Sequence, residues 1–232
     1  MGRAARDADF FRRWSAEMAY VLGYWWADGC MRVKNNTSAH EIEIASNDLE
    51  HLQVLGQIVG ENYYLRKVLR DGNTYAITFC SKQMYQDLER LGGTPHKSRT
   101  IGFPPVPTDL LPHFVRGFVD GDGTLCWNGD RPVLQIYSAS QGFLSAAGLA
   151  IEQATGIPAP NLVANRLPWN IKWSTVRAKC LAAWLYVEHP GLASQQKLAI
   201  ANRFLEWQPK KRPNEGTITD EMRRMFPDYL PL

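Results

Sequence analysis

Asp28-Gly29 and Asp122-Gly123 each close an apolar stretch of the same design, Val21 through Ala27 in one case and Val115 through Gly121 in the other. Taken singly, an Asp-Gly step at a helix end reads as a helix stop, with the glycine left-handed. Occurring twice behind matching segments, it reads as a pair of ligands. An aspartate at the negative end of a helix dipole is destabilised, and two such carboxylates side by side resist ionising further. A cation between them relieves both effects. Oxygen ligands of this kind suit Mg²⁺, with Mn²⁺ or Ca²⁺ as substitutes. Metal held between carboxylates supports in-line phosphodiester hydrolysis, where it activates a water and stabilises the leaving oxygen.

For the two carboxylates to be neighbours, the segments that carry them must be helices packed on each other. Small residues stand four apart in both, Gly23 with Ala27 and Gly117 with Gly121. That spacing puts them on one helix face and lets two backbones approach closely. From about residue 14, Met18, Val21, Leu22 and Trp25 follow the helical period while Ala16, Ala19, Gly23 and Ala27 cover the other side, so this helix is buried all round. After Gly29 the period drops to two: Met31 and Val33 alternate with Arg32 and Lys34, a turn follows, and Glu41 to Ile44 alternates again. This predicts a hairpin with one wet face. A helix over 47–59, a second hairpin over 63–79 turning at Asp71-Gly72-Asn73, and a helix marked by Met84, Leu88 and Leu91 complete the unit.

The same order then recurs: a helix over 108–122, strands at 124–127 and 133–138, a helix over 141–154, a hairpin of 161–164 with 169–175, and a helix over 176–187. The two Asp-Gly exits are 94 residues apart (122 minus 28), with a proline-bearing segment between the units, so the chain reads as a tandem duplication. The predicted fold is α+β: two pseudo-symmetric αββαββα repeats, each with a four-stranded antiparallel sheet, packed through the two exit helices. The boundaries are 1–94 for the first repeat, 95–107 for the linker, 108–207 for the second repeat and 208–232 for a basic, proline-bearing tail with a short helix near 219–225. A lysine closes each unit at a comparable place, Lys97 and Lys197.

Composition sets the wider frame. With 232 residues, 45% hydrophobic and 21% charged, the chain can bury a core of its own. A net charge of +3 means that affinity for a polyanion must come from placement of Lys and Arg rather than from their excess. Cys30, Cys80, Cys126 and Cys180 form no close pair, which argues against zinc or a disulfide framework and for a reducing compartment. Residues 1–6 lack the apolar run of a signal peptide, and no stretch approaches a membrane span. A cytoplasmic protein of a bacterial, phage or archaeal host is expected ahead of an organellar one. Lys210-Lys211-Arg212 has the look of an import patch, but a solvated lysine-rich tail explains it as well.

The two nonapeptides, Val21 to Gly29 and Val115 to Gly123, resemble the LAGLIDADG signature. Over about residues 14–207 the chain is similar to a single-chain homing endonuclease with two repeats, and Pro95 to Ser98 leading into Phe103-Pro104 adds to the likeness. The resemblance implies that Gly23, Ala27, Gly117 and Gly121 line the interface between halves. It implies that Asp28 and Asp122 bind the divalent metal, with Ala27 and Gly121 beside them, and that each sheet sits as a saddle on double-stranded DNA. Both strands would be cut across the minor groove, leaving short 3′ overhangs, by a monomer. Trp25-Trp26 stand where Ile-Asp is usual, whereas Asp120 keeps the acid in the second motif. Basic or amide groups assist at the scissile phosphates in this family, and repeat symmetry nominates Lys97 and Lys197, with Gln135 as a weaker candidate.

The wet faces of the predicted strands carry Arg32, Lys34, Glu41, Glu43, Arg66, Gln135, Asn170 and Lys172, side chains with the reach to touch phosphates and base edges. Two saddles of about 30 Å in line would cover roughly 18 base pairs, and unlike halves imply an asymmetric site. The two glutamates are unexpected on such a face. They would accept from cytosine amino groups, or the register is off by one. An RNA-binding intron maturase and a non-cleaving DNA-binding protein of the same fold are the rival functions; the presence of both motif aspartates favours cleavage.

Overall fold

The computed structural model describes residues 8–60, 62–68, 73–163, 168–211, 213–214 and 216–231. The start of the chain through Arg6, the Asp71-Gly72 turn, Ala164 at the end of an expected strand, and Arg212 of the basic patch lie outside the described residues.

Helix α1 (Ala16–Asp28) begins where Ser15 Oγ accepts from Met18 N, and it is buried on every side from Met18 to Trp26. Its counterpart α4 (Leu111–Asp122) follows a single 3₁₀ turn and has Pro112 in its first turn, where a missing N–H costs nothing. The two helices cross at their glycines. A Cβ on Gly23 would stand 2.0 Å from Phe114 O, and one on Gly117 would stand 2.0 Å from Tyr20 O, so no larger residue fits either place. Gly29 and Gly123, expected to be left-handed, are extended, with φ of −92° and −96°. Their small size is needed for another reason: a Cβ at Gly29 would lie 2.2 Å from Trp25 Cδ1, and one at Gly123 would lie 2.6 Å from Val119 O. Each helix therefore runs straight into a strand.

In the first half β1 (Gly29–Val33), β2 (His40–Ser46), β3 (Tyr64–Val68) and β4 (Thr74–Cys80) form an antiparallel sheet in the order β1-β2-β4-β3, backed by α2 (Leu49–Val59) and α3 (Lys82–Arg90). Arg32 pairs with Glu41 and Cys30 with Glu43, the alternation expected, and Met31, Ile42, Ile44, Ile77 and Phe79 are buried against the helices.

In the second half β5 (Gly123–Asn128), β6 (Arg131–Ser138) and β7 (Trp169–Ser174) form a sheet in the order β5-β6-β7, with α5 (Gln141–Thr155), α6 (Val176–Ala183) and α7 (Gln195–Glu206) around it. Two four-stranded sheets were expected; among the described residues the second has three strands. The expected fourth is reduced to one bridge, Val163 with Asn170. Pro158 and Pro160 ahead of it and Pro168 behind it cannot donate to a ladder. Helix α6 continues as a π-helical turn, Trp184–Glu188. The carbonyls of Leu185 within it and of His189 just beyond it accept from Arg116 of α4, a buried guanidinium that no local pattern flagged.

The tail carries the short helix expected, and that helix is docked on the second half. Its helix α8 (Asp220–Met225) is capped by Thr219, whose Oγ1 donates to Gly156 O at 2.9 Å, and Met222 and Phe226 are buried in the main core. Among the described residues no helix is long and apolar enough to cross a membrane.

Candidate metal centre and nucleic-acid face

Because α1 and α4 meet through glycine, their last residues leave the pair together. Asp28 Oδ2 is 3.7 Å from where a Cβ of Gly121 would stand, and Ala27 packs on Gly121 at the same end. Both aspartates open to solvent, but the walls around them exclude enough water to push both carboxyls upward. Asp122 rises to about 6, first through loss of water and then through the charge of Asp28, with Lys197 and Lys97 opposing. Asp28 rises for the first reason and is pulled back by the same two lysines. Among the described residues neither carboxylate accepts a hydrogen bond or forms an ion pair with another side chain. Two oxygen donors, free and mutually repelling, fit a hard divalent cation. Carbonyls of the last helical turn have no partner within the helix, so those of Ala27 and Gly121 can join the set.

The two lysines occupy equivalent places. Lys97, in a 3₁₀ turn (Lys97–Arg99), is buried, and its Nζ donates to Trp26 O at 2.7 Å. Lys197, in the first turn of α7, donates from Nζ to Asp120 O at 2.8 Å and to Val119 O at 2.5 Å. Each ammonium thus closes the carbonyl end of one motif helix beside its carboxylate. Burial pushes Lys97 down to about 8, against the pull of Asp28, and lowers Lys197 as well.

Asp120 has partners of its own. Its carboxylate is buried and accepts from Tyr20 Oη at 2.6 Å, Tyr186 Oη at 2.6 Å and Ser194 N at 2.7 Å, while His51 Nε2 stands 2.8 Å from the same Tyr20 hydroxyl. A cleft of about 470 Å³ opens beside this network, lined by Asp28, Gly121, Lys197, Asp48, His51 and Ser194. Sequence reading did not single out Tyr20, His51, Tyr186 or Ser194. The one available signal was the acid itself, a buried-looking Asp120 in need of donors.

On the open face of the first sheet the two glutamates, expected among the DNA-contacting side chains, lie enclosed and paired. Glu41 and Glu43 are only 5% and 8% exposed. Glu41 is paired with Arg32 at 2.8 Å and Lys34 at 2.6 Å; Glu43 is paired with Arg66 at 2.9 Å and Arg32 at 3.5 Å. The register is as expected, and the acids lie beneath the cations. In the second sheet Gln135 Nε2 donates to Asn170 Oδ1 at 2.7 Å, and Lys172, next to Gln135 across the ladder, is exposed. Among the described residues Gln135 makes no hydrogen bond to either motif aspartate; across the ladder it faces Thr124, two residues beyond Asp122.

Residues 15–91 match the LAGLIDADG-like domain family. The chain carries a LAGLIDADG-like domain. Its fold over most of its length is that of LAGLIDADG homing endonucleases. The structure of I-DmoI in complex with DNA and Ca superposes with a TM-score of 0.57 at 14% identity, covering 81% of this chain and 97% of that one. The homing endonuclease I-WcaI, bound to its DNA recognition sequence, gives 0.52 at 10% identity over 94% of this chain and 90% of that one. Full-length DUF199/WhiA from Thermatoga maritima gives 0.52 at 12% identity over 86% of this chain, which spans 64% of that protein. No curated protein matches by sequence. At such identities the LAGLIDADG likeness is one of fold, so the activity rests on the residues of this chain.

Proposed function

We propose that the protein is a divalent-metal-dependent endonuclease that binds a long asymmetric site in double-stranded DNA and hydrolyses one phosphodiester in each strand, leaving short 3′ overhangs. The observation that carries the reading is the carboxylate pair: Asp28 and Asp122 leave one end of two backbone-packed helices, free of partners, with a lysine against each helix end. Asp28 and Asp122, with the carbonyls of Ala27 and Gly121, would hold Mg²⁺. When bound, the metal supplies a polarised water and charge stabilisation at the leaving oxygen. Lys97 and Lys197 neutralise the phosphate, and with the proton on Lys97 Nζ loosened to about pH 8 this group can pass it to the departing 3′ oxygen. Asp120 fixes α4 rather than touching the reacting atoms.

The test is cleavage selection on a randomised or genomic duplex library with wild type, Asp28→Asn and Asp122→Asn. Mg²⁺-dependent cutting of both strands by wild type, abolished in each variant, is expected. Binding of duplex without cutting in Mg²⁺ or Mn²⁺ would replace this reading with a non-cleaving DNA-binding protein. Binding of a defined intron RNA in place of duplex DNA would support the maturase.

A further inference from the structure

Among the described residues the open face of the first sheet presents three cations, Arg32, Lys34 and Arg66, and each is tied to a buried carboxylate beneath it. Glu41 uses both oxygens, Oε2 accepting from Arg32 Nε at 2.8 Å and Oε1 from Lys34 Nζ at 2.6 Å. Glu43 accepts from Arg66 Nη2 on both oxygens, at 3.0 and 2.9 Å, and also from Thr78 Oγ1 at 3.1 Å. The acids are enclosed while the side chains of Arg32, Lys34 and Arg66 remain 48%, 52% and 35% exposed. For a glutamate to reach a cytosine amino group it would have to shed these partners and rise through them.

Such pairing is a poor way to attract phosphates. Three cations over two carboxylates leave a single net positive charge on the patch, and affinity for the backbone scales with the charge that displaces counterions. What the pairing does provide is direction. A guanidinium has five N–H donors in a rigid fork. Arg66 gives Nη2 to Glu43, and Arg32 gives Nε to Glu41 with Nη2 3.5 Å from Glu43, so among the described residues Nη1 of each is left without a hydrogen-bond partner. A fork fixed on one side and free on the other suits the O6 and N7 acceptors of guanine. The second sheet is an internal control: strands β5, β6 and β7 contain no acidic residue, and Gln135 is linked to the Asn170 amide instead.

We propose that Glu41 and Glu43 are positioning residues that lock Arg32, Lys34 and Arg66 for base reading, so that the half-site under the first sheet is selected for guanine. This rests on the double-stranded DNA reading given above. The experiment is selection of bound duplexes from a randomised library by the full chain in EDTA, with wild type, Glu41→Gln, Glu43→Gln, Arg66→Ala and Gln135→Ala. Positions that lose their preference in Arg66→Ala but not in Gln135→Ala mark the first half-site. Guanine should be enriched there in wild type. Glu43→Gln should relax that preference by about tenfold, while binding to non-specific duplex at low salt holds or tightens because a negative charge has gone. Cytosine enrichment that vanishes in the glutamine variants would overturn the proposal in favour of direct reading by the acids. An equal loss of affinity across both half-sites, accompanied by a lowered melting temperature, would leave the acids a purely structural role and also overturn it. If wild type retains no duplex while folded, the DNA reading itself fails.

Discussion

Two residues before Asp28 the first repeat has Trp26, whose indole Nε1 donates to Gly102 O at 2.9 Å. Two residues before Asp122 the second repeat has Asp120, whose buried carboxylate gathers two tyrosine hydroxyls and a backbone N–H. An apolar ring and an acid could hardly differ more, yet the same lysine contact sits on both: Lys97 Nζ meets Trp26 O, and Lys197 Nζ meets Asp120 O. The contact is to the backbone carbonyl, which every residue supplies. The side chain at this position is therefore released to fasten each helix by other chemistry, Trp26 to the linker at Gly102 and Asp120 both to Tyr20 of α1 and to Tyr186 and Ser194 of the second half. The features kept alike are the ones for which the backbone does not suffice: the glycines at the crossing, the terminal carboxylates and the lysines.

The comparison can be broken most severely at the crossing. Gly23→Leu and Gly117→Leu should be equally damaging, because each added Cβ would stand 2.0 Å from a carbonyl oxygen of the facing helix. A loss above about 3 kcal/mol is expected from such overpacking against backbone. Thermal melts of both variants check it, and a stable Gly117→Leu protein would end the helix-pair picture. Next in size, the two fasteners should separate: Asp120→Asn leaves hydroxyl donors facing an amide and should cost about 3 kcal/mol, whereas Trp26→Phe loses one neutral hydrogen bond and should cost about 1 kcal/mol. Urea unfolding of the pair measures the gap.

The lysines sharpen the functional side. If each serves one strand, Lys97→Met and Lys197→Met should each slow one cut by about 10²-fold and leave nicked duplex, read on strand-specific labelled target; equal slowing of both strands would deny the division. The smallest effect concerns the carboxylates. Asp122 is raised to about 6 partly by Asp28, so Asp28→Asn should lower its titration midpoint, followed by NMR. The sign for stability follows: the folded apo protein holds the Asp122 proton more tightly than the unfolded chain. That contribution is present at low pH and lost as pH rises from about 4 through about 6. Metal affinity runs the other way and should fail as pH drops below about 6.

Much of this was legible in order along the chain. Gly23, Ala27, Gly117 and Gly121 announced the interface through their spacing, and period-two alternation in β1 and β2 put Arg32 and Glu41 on one face, where the structure pairs them. The strand expected at 161–164 is reduced to a bridge at Val163 because alternation says nothing of the prolines around it, whereas the last strand forms as read. Glu41 and Glu43 were placed on the correct face at the wrong depth, since depth depends on the long side chains of Arg32, Lys34 and Arg66 folding over them. The tail looked solvated because its lysines and prolines outnumber Met222 and Phe226, the two side chains that anchor it.

The sequence by itself determined the recurring order of helix and paired strands, the two Asp-Gly exits and the lysines, because helix period, strand alternation and motif spacing are local signals written at fixed spacings. Only the tertiary structure decided what surrounds them. Asp120 finds its donors 100, 66 and 74 residues away at Tyr20, Tyr186 and Ser194, and Lys97 finds Trp26 O 71 residues back. Contacts at such separations are fixed by packing of the two halves, and no local pattern carries them.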